Sequence, residues 1–238
     1  MTDRFYSENI TINTHSSIRI AGSKVLYFDP FRITDAAHDA DVVFVTHSHF
    51  DHFDPESIAK ILKAGTAFVM PETMRKEADA LKGLPGIDAL HFLRPGDEPG
   101  PAVPGTAEVL LLRPEEDACF RGLGIHAVPA YNLPPKRFHP KENGWTGYLV
   151  TDRGVRYYVA GDTDAVPELR HISCDVCLVP AGGKYTMDAK EAAALVNTVC
   201  PRAAIPTHYG SVAGNREDGE VFRSLVRPPV DVFLLKGE

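Results

Sequence analysis

No stretch of this 238-residue chain approaches the roughly 20 consecutive apolar residues that span a bilayer. The opening segment MTDRFYSENI has no apolar core of the kind a secretory signal carries. The expectation is a cytoplasmic protein with no membrane insertion. Cysteine is scarce: Cys119, Cys174, Cys177 and Cys200 do not make a disulfide framework in a chain of this size, which points to a reducing compartment. Cys174 and Cys177 form a CxxC, but the second pair that a zinc ribbon needs is missing. SCDVCLVP reads instead as the start of a buried strand. Positive charge is in deficit as well. Lys and Arg number 25 against 32 Asp and Glu, a formal net charge of -7 and a pI near 5.8, so the surface repels polyanions and no nucleic-acid partner is expected. No repeat of fixed period occurs, which excludes a solenoid.

What is present is apolar content, 44% of residues, enough for one sizeable core, so residues 1–238 are read as a single domain. Strand-like runs appear at NITINT, SIRIAG, KVLYF, DVVFVT, TAFVM, GYLVT, VRYYVA, DVCLVP, AAIPT and VDVFLL. Helical spacing of apolar residues is clearest in PESIAKILKA, PETMRKEADALK, AKEAAALVNTV and GEVFRSLV, giving a mixed α/β pattern. Asp54 before Pro55 predicts a helix start immediately after a strand, and Asp188 with Glu191 predicts a capping box. The proline- and glycine-rich region 95–114 reads as a surface excursion ending in a short strand-like run.

Three histidines and an acid crowd into THSHFDH, residues 46–52, directly after the apolar run DVVFV. In an extended segment alternate side chains share a face, so His47 and His49 can meet on one ion. As the chain turns toward its helix, Asp51 and His52 can face a second. Imidazole together with carboxylate suits zinc, manganese or iron. Two later strands end in kindred chemistry. VRYYVA runs into Gly161-Asp162, where glycine permits close backbone approach and Asp162 is free to bridge two ions, and AAIPT runs into His208. His38, His91 and His171 lack partner motifs, and His126 alternates with apolar neighbours; all four read as structural.

The ordered set HxHxDH, strand-end GD and strand-end His resembles the metallo-β-lactamase fold hydrolases over most of the chain, Thr14 to Gly210. THSS before Ile18, DPF at Asp29, AGDT at Ala160 and PAGGKYTM at Pro180 are similar to the small branch that includes ascorbate-phosphate lactonases and N-acylphosphatidylethanolamine phospholipase D. The resemblance implies a four-layer αββα sandwich with a dinuclear site at one edge. It implies His47 and His49 on the first ion, Asp51, His52 and His208 on the second, and Asp162 between them. One or two Zn2+ ions, with Mn2+ or Fe2+ as alternatives, would acidify a water enough to supply hydroxide near neutral pH. Asp51 would orient that nucleophile and later take a proton. Asp29 is expected behind a ligand imidazole, and His15 beside the site.

One ligand of the pattern is missing, because PAYN places Asn132 where relatives often carry the first ion's third histidine. A carboxamide oxygen is a poor substitute on zinc, so His139, stiffened by Pro140, is expected to complete the set, with Asn132 behind it, its amide on a ligand carboxylate or bound water. Lys184, Tyr185 and Trp145 are expected to line the substrate pocket. Lys136, Arg137 and Lys141 are either anion-binding or simply solvated. The functional expectation is hydrolysis of a small anionic ester, lactone or phosphodiester. Two alternatives stand beside it: a non-catalytic metal-binding or regulatory protein, and a di-iron oxidoreductase. Di-iron relatives carry glutamate where this chain has His49 and are followed by a flavin domain absent here, which favours hydrolysis.

Overall fold

The structure is a computed structural model that describes residues 8–98, 100, 101 and 103–235. The amino-terminal reading of residues 1–7, two positions of the 95–114 excursion and the last three residues of the expected domain lie outside the described residues.

Two seven-stranded sheets carry the fold. The first has the order β1 (Ile10–Thr14), β2 (Ser17–Ala21), β3 (Val25–Phe28), β4 (Val42–Phe44), β5 (Ala67–Pro71), β7 (Thr106–Leu112) and β6 (Ala89–Leu93). The second runs β14 (Asp231–Val232), β13 (Ala203–Thr207), β12 (Val176–Pro180), β11 (Val155–Val159), β10 (Thr146–Asp152), β9 (Leu123–Pro129) and β8 (Asp117–Phe120). Each sheet joins an antiparallel meander to a parallel part. In the first, β3, β4, β5, β7 and β6 run parallel; in the second, β11 to β14 do.

The near-continuous apolar runs of the parallel strands follow from burial on both faces. Along β3 and β4, Leu26, Phe28, Val42 and Phe44 point into the core between the sheets, while Tyr27 and Val43 point outward. In β11 and β12, Tyr157, Val159, Val176 and Leu178 face that same core, and Tyr158, Cys177 and Val179 face out. Helix α1 (Pro55–Ile61) covers the outer face of the first sheet with Ile58 and Ile61; α2 (Ala189–Val199) and α3 (Asp218–Leu225) cover the second with Val196 and Phe222. Three apolar interfaces separating four layers make the αββα sandwich. No helix among the described residues is long and apolar enough to cross a membrane.

Both helix starts carry the caps expected of them. Asp54 accepts from the Glu56 N–H at 3.1 Å, and the Asp188 carboxylate accepts from the Glu191 N–H at 2.8 Å while Glu191 accepts from the Asp188 N–H at 2.9 Å. Two readings change. PETMRKEADALK forms two short 3-10 turns, Glu72–Met74 and Glu77–Leu81, because burying only Met74, Ala78 and Leu81 needs no continuous α-helix. The run closing the 95–114 excursion is no surface piece: it enters β7, an interior strand paired with both β5 and β6. CxxC is structural packing, with Cys177 fully buried in β12 and all four cysteines free.

Candidate metal centre

The carboxyl ends of β3, β4, β11 and β13 meet at one edge of the sandwich, as strand ends do in ligand-binding α/β sheets. The turn between β1 and β2 joins them. His15 there adopts φ +55°, and its carbonyl accepts from the His208 N–H at 3.0 Å, tying the first sheet to the end of β13. Gly161, at φ +64°, brings the end of β11 against Thr46: a Cβ there would lie 2.9 Å from the Thr46 Cβ, so only glycine allows Asp162 this approach.

Three overlapping groups of donor atoms result: His15, Asp51, His52 and His208; His47, His49 and His139; and His47, His52 and Asp162. Within each group the atoms lie within 4.8 Å of one another. Asp162 is central. Its Oδ1 is 3.3 Å from His52 Nε2, and its Oδ2 is 3.0 Å from His208 Nε2, 3.3 Å from His139 Nε2 and 4.0 Å from His47 Nε2. His47 Nε2 and His49 Nδ1 face each other at 3.0 Å. The rings of His47, His49 and His139 pack against Trp145 at centroid distances of 5.0, 5.0 and 5.6 Å.

The far sides of these rings are held. Asp29 accepts from the Thr46 N–H at 2.8 Å, from the Thr46 hydroxyl at 2.7 Å and from His52 Nδ1 at 2.7 Å, which leaves His52 Nε2 aimed at Asp162. Asn132 Oδ1 accepts from His139 Nδ1 at 3.2 Å and from the backbone N–H groups of Phe138 and His139 at 3.0 and 2.9 Å. Its amide nitrogen donates to the Tyr185 carbonyl at 2.8 Å, which corrects the expectation of a ligand carboxylate or water as its partner. Ser211 Oγ lies 3.0 Å from His15 Nδ1, and His15 Nε2 lies 3.2 Å from Asp51 Oδ2.

Three of these supports escaped the sequence reading: Thr46, Ser211 and Asp164. Asp164 accepts from the Leu133 N–H and the Lys136 ammonium, anchoring the 132–139 loop. The paired acids of GDTD were the available signal for Asp164; Ser211, 196 residues from its partner, had none. Lys136 is spent on Asp164, the Thr186 carbonyl and Glu191, and Lys141 on Glu168, so neither is free for a substrate anion. Lys184 is exposed with its ammonium 4.6 Å over the Tyr185 ring, at the lip of the site.

A metal cation fits this donor set. Buried nitrogens His15 Nε2, His52 Nε2 and His139 Nε2 and the oxygen Asp162 Oδ1 make no hydrogen bond among the described residues, and each belongs to one of the overlapping donor groups, as atoms kept for a cation do. Burial holds His47 well below the usual imidazole range and His15 down at about 4, the Asp51 carboxylate opposing the shift in His15. Burial would raise the Asp162 carboxyl, but His208 and His52 together hold it well below the usual range. At His52 burial is outweighed by Asp162, Asp29 and Asp51, which raise it to about 9. Three carboxylates around that ring draw in positive charge, and a divalent cation supplies it as well as a proton does.

Stacked sheets with imidazoles and carboxylates gathered at strand ends define the class of metallo-β-lactamase-like proteins. A family model described as a beta-lactamase superfamily domain matches residues 9–208, and the chain belongs to that superfamily. Its homologues are named metal-dependent hydrolases. One from Thermococcus onnurineus is 31% identical over 236 residues, 93% of each chain. Among solved structures, a Parabacteroides distasonis protein assigned as a metal-dependent hydrolase superposes with a TM-score of 0.76 at 26% identity, covering 96% of this chain and 93% of that one. A metallo hydrolase of Ignicoccus hospitalis has a TM-score of 0.66 at 22% identity, covering 95% and 94%, and shares the fold.

Proposed function

We propose that this protein is a hydrolase that holds two divalent transition-metal ions, in the first instance zinc, and cleaves a small anionic ester, lactone or phosphodiester. The observation that carries the reading is the central placement of Asp162, whose carboxylate lies 3.3 Å from His139 Nε2 on one side and 3.3 and 3.0 Å from His52 and His208 Nε2 on the other, so that one carboxylate could serve both ions. His47, His49 and His139 would hold the first ion, and Asp51, His52 and His208 the second. When bound, such ions acidify a water molecule and neutralise charge that develops on the attacked carbonyl or phosphoryl oxygen.

The remaining roles belong to the chain. Asp51, itself a member of the second donor group, is buried but keeps a side chain 10% exposed, from which its carboxylate can orient the attacking water and accept its proton. His15 steadies that carboxylate from behind. Asp29 and Asn132 hold the tautomers of His52 and His139, each with Nδ1 engaged and Nε2 directed inward. Trp145 limits rotation of the three-histidine group. Lys184 and Tyr185 would meet the anionic end of the substrate. Four free cysteines support a reducing, cytoplasmic setting, and the core shared by both sheets supports one domain.

The test is metal analysis joined to hydrolysis. Wild-type protein should take up two ions per chain and hydrolyse members of an ester, lactone and phosphodiester panel. Asp162→Ala should hold at most one ion and lose turnover. Two ions retained in Asp162→Ala would defeat the bridging role; full occupancy in wild type with no turnover across the panel would defeat hydrolysis.

A further inference from the structure

Large apolar side chains stand exposed around the mouth of the metal centre. Among the described residues six such side chains are exposed, and three of them adjoin donor-set residues or their supports: Phe50, 67% exposed, lies between His49 and Asp51; Leu133, 37%, follows Asn132; Phe138, 47%, precedes His139. Exposed apolar groups gathered at a polar centre mark a ligand surface, since water contact alone gives no reason to concentrate them there.

They are built in, not loose. Phe50 sets its ring edge against Phe31 at 5.9 Å, and Phe31 in turn packs on His15 at 6.5 Å, so this pair flanks the second donor group. Phe138 meets Tyr185 edge to face at 4.8 Å on the side of the first group. Asn132 positions both members of that second pair, through the Phe138 N–H and the Tyr185 carbonyl, with the same carboxamide that holds His139. Ligand and lips are therefore one unit. Beside the Phe138/Tyr185 pair, Lys184 and Arg137 are exposed and have no carboxylate partner among the described residues, in a chain of net charge -7.

We infer that the substrate is an amphiphilic anion, a phosphoryl or carboxyl ester bearing an aryl or acyl group, with its charged end at the metal centre and its apolar part between the Phe31/Phe50 and Phe138/Tyr185 pairs. This rests on the proposed metal-dependent hydrolase reading and narrows its substrate class. A small polar ester would leave the exposed Phe50 and Phe138 in water in the bound state. An aryl or acyl group dries them, and its burial adds affinity in proportion to the apolar area covered.

The experiment uses the zinc-loaded full chain and calorimetric titration with methylphosphonate, phenylphosphonate and octylphosphonate, with metal content measured on every sample. The expected result is that phenyl- and octylphosphonate bind about tenfold or more tighter than methylphosphonate. In the Phe50→Ala/Phe138→Ala double variant the ratio should fall toward one. Lys184→Met should weaken all three ligands by a similar factor. Equal affinities in wild type, or a preference that survives the double variant, overturn the inference while leaving the hydrolase reading intact. Full metal content with no binding of any phosphonate overturns the anionic end of the proposal. Failure to take up metal at all defeats the metal-centre reading and this inference with it.

Discussion

Asn132→Ala is the perturbation that most directly probes how the centre is assembled. The wild-type carboxamide makes four hydrogen bonds: from the Phe138 and His139 N–H groups at 3.0 and 2.9 Å, from His139 Nδ1 at 3.2 Å, and to the Tyr185 carbonyl at 2.8 Å. At about 1 kcal/mol net for each, the upper bound is near 4 kcal/mol. Phe138 and Tyr185 lie at the rim, where water can replace a lost partner, so a loss of ~2–3 kcal/mol in unfolding free energy is expected in denaturant titrations of the metal-free protein. The effect on metal is distinct. Without the carboxamide oxygen nothing fixes the proton on Nδ1, and removal of such an outer partner costs about 10–100-fold in affinity, or about 1.4–2.8 kcal/mol. His139→Ala removes the donor nitrogen itself and should lose more than that. Zinc titrations in competition with a chromophoric chelator, run on both variants and wild type, give the ranking. Wild-type zinc affinity in Asn132→Ala, or a larger loss there than in His139→Ala, would refute the arrangement in which the histidine binds and the asparagine positions it.

Gly161→Ala should lower unfolding free energy by about 1–3 kcal/mol, because a left-handed φ of +64° disfavours alanine and the new methyl meets Thr46; unchanged thermal melts would contradict this. Asp29→Ala leaves the Thr46 N–H and His52 Nδ1 without their acceptor and should weaken metal binding about 10–100-fold by the same chelator assay. A remote carboxylate offers a pH test. Burial would raise the Asp39 carboxyl, but Arg19 at 2.6 Å and the Tyr27 hydroxyl at 2.9 Å together hold it below its usual range. A depressed folded-state value means the stabilisation is present above the unfolded pKa of about 3.9 and disappears as pH falls through the folded one. Asp39→Asn should therefore melt below wild type at pH 7, with the gap closing as pH falls below the unfolded pKa and through the lower folded one; a gap that widens on acidification would reverse the sign of the argument.

What lay in the sequence alone was whatever depends on near neighbours. Burial of both strand faces writes itself as apolar runs, and a helix start needs its cap within three residues, so the sandwich strands and the Asp54 and Asp188 caps were readable from local pattern. THSHFDH is equally local: a strand end and one turn gather His47, His49, Asp51 and His52 in any fold that keeps that turn. Tertiary structure alone decided how the distant groups that complete them are held in place. His139 rather than Asn132 was the expectation from the sequence, but the contacts that fold the 132–139 loop back, from the Leu133 N–H to Asp164 and from the His139 N–H to the Asn132 carboxamide, arise only in the folded chain. Lys136 and Lys141 became ion-paired supports rather than anion binders for the same reason, since the carboxylates that claim them come from other parts of the second sheet's surface. Ser211 reaches His15 only because the two sheets stack with the end of β13 against the β1–β2 turn. A side chain's direction and its partner across a layer are set by the packing of whole sheets, and that packing is a property of the folded chain.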